Sequence, residues 1–181
     1  MVAKTFGVGL LFVLGLLNQA ATAQTIDVTK DVREARDTVA VFKKADPGLT
    51  RFFESSVGYA VFPTVEKGAA GIGGATGSGV VFEKGKAIGK TSLTQVTVGA
   101  QLGGQAYSEI IFFETAPAFT DFKKGTLALA AQASAVAATK GASANVKYQN
   151  GVAVFTTGKR GLMFEASVGG QKFGFEPFGK K

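Results

Sequence analysis

The chain has 181 residues, with 20 Lys and Arg against 13 Asp and Glu, and a formal net charge of +7. It contains no His and no Cys, which excludes a Ser-His-Asp triad, His-ligated zinc, thiol catalysis and disulfides. A basic surface favours anionic partners such as phospholipid headgroups.

Residues 1–23 are predicted to be a secretory signal peptide. Lys4 supplies the positive start, residues 6–17 form an uncharged and mostly apolar region, and Ala-Thr-Ala at 21–23 fits a cleavage site. The apolar run is shorter than the ~20 residues that span a membrane. Removal leaves 181 − 23 = 158 residues with a net charge of +7 − 1 = +6, which suits a single domain over 24–181. We expect an exported, periplasmic protein, peripheral to a membrane and without a nucleic-acid partner.

Two helices are predicted at the start of this domain. The first covers residues 27–45, with Asp27 as the N-cap and mixed charge on its outer face. Such a face is typical of a helix packed on its own domain, because membrane-surface helices are more one-sidedly basic. Asp46-Pro47 then begins a short second helix that ends near Ser56. The apolar stripe of the first helix consists of Val28, Val32, Ala35, Val39 and Phe42.

From Gly58 onward the pattern predicts strands. In order these are "GYAVFPTV", a glycine-rich stretch entering "GVVFE", the turn and short strand "KGKAIG", "SLTQVTVGAQLGG" and "QAYSEIIFFE". A short helix follows over Ala116–Lys124, with Phe119 and Phe122 on one face and Gly125 as its stop.

The last third of the domain is also predicted to be mostly strand. "TLALAAQASAVAAT" fits helix propensity and alternation alike, and its strand neighbours favour a strand. Asn150-Gly151 predicts a hairpin turn, and "GLMFEASVGG" and "QKFGFEP" complete the chain. The predicted class is α+β: a strongly bent antiparallel sheet or small β-barrel, with an N-terminal helix and one or two short helices packed on it.

The glycine-rich stretch does not have the spacing of a phosphate-binding loop. A G-x-G-x-x-G motif from Gly71 meets Thr76, one from Gly77 meets Phe82, and "GKAIGKT" is one residue short of a Walker A loop. Glycines two residues apart lie on one face of a strand, where they allow a sharp bend or close packing. We therefore predict an architectural role for Gly71 with Gly73 and Gly77 with Gly79, and for Gly99 and Gly103, which lie four apart.

Three blocks resemble the SYLF domain, also called the Ysc84-related or DUF500 domain. They are "GYAVFPTVEKGAAGIGGATGSGVVFEKG", "VTVGAQLGGQAYSEIIFFET" and "GKRGLMFEASVGG", in matching order from about Gly58 to Gly170. The resemblance implies a non-catalytic lipid-binding module without cofactor or metal, in the exported bacterial branch. Eukaryotic members commonly carry a Trp-Ser-x-Pro-like piece where this chain reads "GKTSLTQ", so phosphoinositide specificity and actin binding are not inferred.

The predicted partner is an anionic phospholipid or membrane surface, bound through cations in loops and turns. The candidate lipid-binding residues are Lys67, Lys84, Lys86, Lys90, Lys123, Lys124, Lys159 and Arg160. Two alternatives remain open at this point. One is a small outer-membrane β-barrel or structural envelope protein. The other is a hydrolase, which needs two of the carboxylates side by side among Glu66, Glu83, Glu109 and Glu114.

Overall fold

A computed structural model describes residues 28–70, 72–97, 105–127, 129, 134–159 and 168–179. Helix α1 spans residues 28–45, a 3₁₀ turn Pro47–Leu49, α2 Thr50–Ser55 and α3 Ala116–Lys124. The strands are β1 Gly58–Ala70, β2 Ile72–Glu83, β3 Lys86–Thr97, β4 Gln105–Phe113, β5 Val136–Ala137, β6 Val152–Gly158 and β7 Lys172–Pro177. The predicted signal peptide and Asp27 lie outside the described residues. The α+β class is confirmed.

The described strands form one seven-stranded sheet in the order β5-β6-β4-β1-β2-β3-β7. Neighbours are antiparallel except for β5, whose two residues run parallel to β6. Within the described part of the chain the sheet is open, with β5 and β7 as its edges. Of the two predicted forms, the bent sheet is therefore observed and the closed barrel is not.

The central strand β1 bends at Pro63. Its pairing with both neighbouring strands shifts between Val61 and Val65. Proline donates no ladder hydrogen bond, so it fits a bulge better than a regular central strand. The hydroxyl of Ser108 donates a 2.7 Å bond to the Pro63 carbonyl oxygen. Because a bulge adds twist and bend, this site contributes to the predicted curvature.

Successive side chains of β4 point alternately into two separate hydrophobic cores. Tyr107, Ile111 and Phe113 belong to the cluster under α3, on what we call the α3 face. Ile110 and Phe112 belong to the cluster under α1 and α2, on the α1 face. Successive strand residues point to opposite faces, so the sheet is the middle layer between helices.

Both predicted apolar helix faces are confirmed. Ala35 and Phe42 of α1 are fully buried, Val32 and Val39 pack partly buried on the same cluster, and Val28, the first residue of the stripe, is half-buried. Phe119 and Phe122 of α3 are buried together against the opposite face. Thr115 caps α3 by accepting a bond from the Ala118 amide, and Gly125 ends it with a φ of 71°.

Asp46 has a wider structural role than the predicted cap. Its carboxylate accepts backbone bonds from Gly48 at 3.1 Å, Gly141 at 3.2 Å and Ser143 at 2.7 Å. Burial opposes its ionisation, but these hydrogen bonds outweigh burial and lower the pKa of Asp46. The side chain therefore ties the 3₁₀ turn before α2 to a turn near residue 143, 97 positions further along the chain.

Gly77 and Gly79 are required by the close approach of β1. A methyl group at Gly79 would overlap the Val61 carbonyl oxygen and lie 2.9 Å from Cδ1 of Phe62. At Gly77 it would lie 3.0 Å from Cγ2 of Val65. This close packing supports the architectural interpretation of the pair. Gly71, Gly99 and Gly103 lie outside the described residues.

Three predictions of secondary structure need correction. "KGKAIG" and the start of "SLTQVTV" form one strand, β3, rather than two. The described part of 126–139 contains only the two-residue strand β5. The Asn150-Gly151 turn is confirmed, with φ values of 51° and 78°. The arm before it, however, contains a 3₁₀ turn at Ala142–Asn145. Most of "GLMFEASVGG" lies outside the described residues, and "QKFGFEP" is confirmed as β7.

Candidate functional site

The register of the sheet defines a row that crosses its six longer strands. Following the paired residues from β6 to β7, this row is Gly158, Tyr107, Val65, Gly77, Leu93 and Phe173. We call the part of the sheet beyond the row, toward the β1–β2 connection, the glycine-rich end. In the described part of the chain it comprises residues 66–70, 72–76, 94–97, 105–106, Lys159 and Lys172.

Three lysines lie across the glycine-rich end. Lys159 follows β6 and Lys172 begins β7, each one residue beyond the row, while Lys67 on β1 lies 67 − 65 = 2 residues beyond it. Lys159 and Lys172 are exposed and Lys67 is half-buried. With strands about 4.8 Å apart, the five spacings from β6 to β7 place these cations along a line of roughly 24 Å. Glu66 is the carboxylate beside them.

The other predicted cations are divided among several positions. Lys84 and Lys86 lie at the β2–β3 turn, where Glu83 pairs with Lys86 at the opposite end of the sheet. Lys90 forms a 2.7 Å ion pair with Asp31, which ties α1 to β3. Arg160 lies outside the described residues. The structure therefore brings Lys67 and Lys159 to one end and separates them from Lys84 and Lys86.

The last turn of α3 lies beside the glycine-rich end. A Cβ at Gly125 would be 3.0 Å from the carbonyl oxygen of Phe173, in the register row. Lys124 is exposed there, whereas Lys123 places its Nζ 4.3 Å from the centre of the Phe119 ring. Both lysines also favour the helix C-terminus electrostatically.

A groove of 880 Å³ lies on the α1 face. Its polar lining includes Thr76, Ser78, Ser92 and Thr94 with the carboxylates Asp31, Glu34, Glu66 and Glu176. Lys90 is the cation among the lining residues, and it is paired with Asp31. Acidic walls repel a phosphate, so this groove does not suit an anionic headgroup.

A smaller cavity lies beside β6, with a volume of 90 Å³. Leu127, Leu129 and Val168 are among its lining residues. Ligand cavities usually measure about 300–1,000 Å³, so it is too small for an acyl chain. Within the described residues, neither cavity is suited to holding an anionic phospholipid.

Glu109 is a carboxyl group buried in the α3-face core. It is 0% exposed, and the Gln171 amide Nε2 donates a 3.1 Å bond to its Oε2. Among the described residues, no hydrogen-bond partner reaches Oε1. Burial raises the pKa of Glu109 to about 7, with the Gln171 bond acting in the opposite direction. Burial also raises the pKa of neighbouring Tyr107.

The four carboxylates considered for a hydrolase do not share a cavity. Glu66 lines the groove on the α1 face, whereas Glu109 is fully buried under α3. Glu83 and Glu114 are exposed at the opposite end of the sheet. In the described ranges no three Asp or Glu side chains come together as metal ligands, and no described helix is long and apolar enough to cross a membrane.

Comparison with known proteins gives a family model and a relative that this chain resembles. The family model Ysc84, described as Las17-binding protein actin regulator, matches residues 94–176. Beta cell expansion factor A from Aeromonas veronii is 28% identical over 156 residues, covering 80% of this chain. Residues 94–176 are therefore similar to the Ysc84, or SYLF, family. It spans 58% of the length of the Aeromonas protein. The Ysc84 family is a family of non-catalytic domains.

Sequence analysis missed Lys172 as a candidate. It lies in "QKFGFEP", which alternation correctly predicted to be a strand, whereas the candidate cations were chosen from predicted loops and turns. Its neighbour Phe173 is buried and Lys172 is exposed. The available signal was therefore the alternation itself, which places Lys172 on the outer side of a strand whose next residue enters the core.

Proposed function

We propose that this protein is an exported, non-catalytic module that binds anionic phospholipid surfaces from the periplasm. The observation that carries the proposal is the position of Lys67, Lys159 and Lys172 at the glycine-rich end of a sheet whose residues 94–176 match the Ysc84 family model. Among the described residues, no ion pair is formed by these three side chains. Their charges are therefore available to a lipid headgroup.

The positions of the charged side chains favour lipid binding at the protein surface over lipid binding in a cavity. The 880 Å³ groove carries four carboxylates, among them Glu66 at its outer end. A basic residue near an anionic membrane contributes ~1 kcal/mol, so three lysines together supply ~3 kcal/mol. Millimolar affinity requires about 4 kcal/mol. The lysines alone therefore give weak and reversible attachment, and Lys124 or an apolar contact must add to it.

Reversing the three lysines is expected to abolish binding to vesicles. The variant Lys67→Glu, Lys159→Glu, Lys172→Glu replaces attraction by repulsion at the proposed contact. Co-sedimentation with vesicles of phosphatidylglycerol measures the loss, and phosphatidylcholine vesicles serve as the neutral surface. For the unmodified protein we expect binding to the first only, weakened by salt, because the field decays within ~10 Å at 0.1 M.

The matched control is Lys44→Glu, Lys84→Glu, Lys86→Glu, which changes the net charge equally but away from the glycine-rich end. It is expected to retain most of the binding. If this control loses binding and the first variant keeps it, the opposite end of the sheet is the contact. Equal binding to both kinds of vesicle would exclude the electrostatic mechanism. Because Lys67 is half-buried, its replacement could affect folding. Thermal melts of the Glu variant and of a variant with Lys67, Lys159 and Lys172 changed to Gln test whether each remains folded.

Export predicts a processed N-terminus at Gln24. The reason is the Ala-Thr-Ala sequence at 21–23 behind an apolar stretch of secretory length. N-terminal sequencing of the protein recovered from the periplasm is the measurement. Ala23→Arg is expected to block cleavage there and to leave a longer product. Protein that starts at Met1 in the cytoplasmic fraction would contradict the proposed export.

A further inference from the structure

We infer that the paired ends of β1 and β2 and the adjoining end of β3 insert shallowly into the lipid headgroup layer, beyond the line of three lysines. This inference rests on the proposed function and names the element that enters the lipid. It explains how a module with only ~3 kcal/mol of surface attraction from three lysines could hold a membrane.

Two long segments without charged residues contribute to the glycine-rich end, through residues 68–70, 72–76, 94–97 and 105–106. No Asp, Glu, Lys or Arg occurs between Lys67 and Glu83, or between Lys90 and Glu109. In an exported chain that is 18% charged, such segments would be expected to carry charge wherever they faced only water. Their backbone is held together, since β1 and β2 pair as far as Ala70 with Ile72. The uncharged part is thus a paired hairpin.

The geometry places charge at the base of the hairpin and uncharged residues at its end. Ala70 is 70 − 67 = 3 residues beyond Lys67, which is about 10 Å at ~3.3 Å per residue. The headgroup layer on each side of a bilayer is roughly 6 Å thick. Lysines at the level of the lipid phosphates would therefore let the backbone at Ala70 and Ile72 reach the edge of the hydrocarbon.

Val96 is the apolar side chain that the described structure leaves open beside this hairpin. It is 74% exposed and lies opposite Gly74 of β2, one residue step beyond the level of Lys67. A methyl group at Gly68 would meet nothing within 4 Å, so this region has free space around it. The other large hydrophobic side chain exposed in the described part, Val41 at 54%, lies on α1.

The depth of insertion is limited by backbone hydrogen bonding. The pairing of β1 with β4 ends at Lys67 with Gln105, so the outer edge of β1 beyond Lys67 has no described partner strand. Unpaired backbone groups are costly in hydrocarbon but can be hydrated among headgroups. Lipid contact therefore stays interfacial, and the hairpin does not span the bilayer.

A tryptophan introduced at Val96 reports the insertion directly, because the protein has no Trp. Val96→Trp in the full chain is expected to give a blue-shifted emission with phosphatidylglycerol vesicles, and a loss of intensity when the lipids carry brominated acyl chains. Val41→Trp is the matched control and is expected to show neither change. Val96→Asp should weaken co-sedimentation about tenfold through the lost apolar contact, whereas Val41→Asp should leave it unchanged.

The outcomes separate this inference from the proposed function. If the protein sediments with anionic vesicles but Val96→Trp is neither shifted nor quenched, binding is superficial and insertion is refuted. If Val41→Trp is quenched instead, helix α1 faces the lipid and the assigned element is wrong. If no variant and not even the unmodified protein sediments with anionic vesicles, the proposed function itself fails. Circular dichroism of each variant confirms that it is folded.

Discussion

Glu109→Gln is expected to stabilise the folded protein above pH 7 and to remove a fall in stability between pH 5 and pH 8. The carboxyl is fully buried, and burial raises its pKa from the ordinary 4.5 to about 7. At pH 8 the folded protein must therefore hold a carboxylate in an apolar core. Each pKa unit corresponds to 1.36 kcal/mol, so the difference of about 2.5 units costs up to about 3 kcal/mol.

The sign follows from proton binding. Because the pKa is raised on folding, the folded state binds more protons than the unfolded state between pH 4.5 and pH 7. Stability from this group is fully present below pH 4.5 and is lost as the pH rises through about 7. Asp46 acts oppositely, since its pKa is lowered from 3.8, so its contribution is lost only in more acidic solution. A titration from pH 5 to pH 8 therefore isolates Glu109.

Thermal melts across this range measure the effect. For a domain of this size 1 kcal/mol shifts Tm by ~2–4 °C, so the wild type should lose about 10 °C that Glu109→Gln retains. Glu66→Gln is the control, because Glu66 is an exposed carboxyl on the neighbouring strand and its replacement should leave the profile unchanged. A wild-type Tm that stays constant from pH 5 to pH 8 would show that Glu109 is ionised or solvated in the folded protein.

Elements with local signals could be predicted from sequence alone. Helix α3 is the best example, because Thr115, Gly125 and the paired phenylalanines each act within a few residues of the helix. The short parallel strand β5 could not be predicted in the same way. It depends on Val136 pairing with Phe155, which lies on a strand formed after an intervening turn. The alanine-rich sequence itself was compatible with either structure.

In the candidate site, too, some features could be predicted from local sequence and others depend on the sheet. Which lysines share one end of the sheet depends on strand register, since Lys67 and Lys159 are 159 − 67 = 92 residues apart and lie on either side of β4. Nothing in either local sequence indicates that they lie at the same end. The burial of Glu109 could partly be predicted from the sequence, because Tyr107, Ile111 and Phe113 lie two or four residues away and therefore on the same face of the strand. That no charged partner reaches it among the described residues could not be predicted, because this depends on what Gln171 and α3 bring to the same core.

Gly79→Ala is expected to destabilise the fold strongly, whereas Gly68→Ala is expected to be neutral or slightly stabilising. A methyl group at Gly79 would overlap the Val61 carbonyl oxygen, which belongs to the backbone of the central strand. Overpacking in a core typically costs ~1–3 kcal/mol, and a clash with backbone belongs at the upper limit. Gly68 lies on the paired strand with nothing within 4 Å of the added methyl. Replacing such a glycine gains ~0.4–1 kcal/mol by restricting the unfolded chain.

Urea unfolding of wild type and of the two single variants measures each free energy of unfolding. We expect the midpoint of Gly79→Ala to fall, and that of Gly68→Ala to stay the same or rise. Since both changes add the same methyl group to the same sheet, a difference between them reports the local packing and not alanine propensity. Equal midpoints for the two variants would mean that β1 and β2 can separate at the bulge without cost. The glycines would then need another explanation. If Gly79→Ala unfolds at a lower urea concentration, glycine is needed opposite the bulge for packing. If Gly68→Ala also keeps its vesicle binding, glycine itself is not required at position 68 for lipid contact. The glycine-rich end then remains free to meet the lipid.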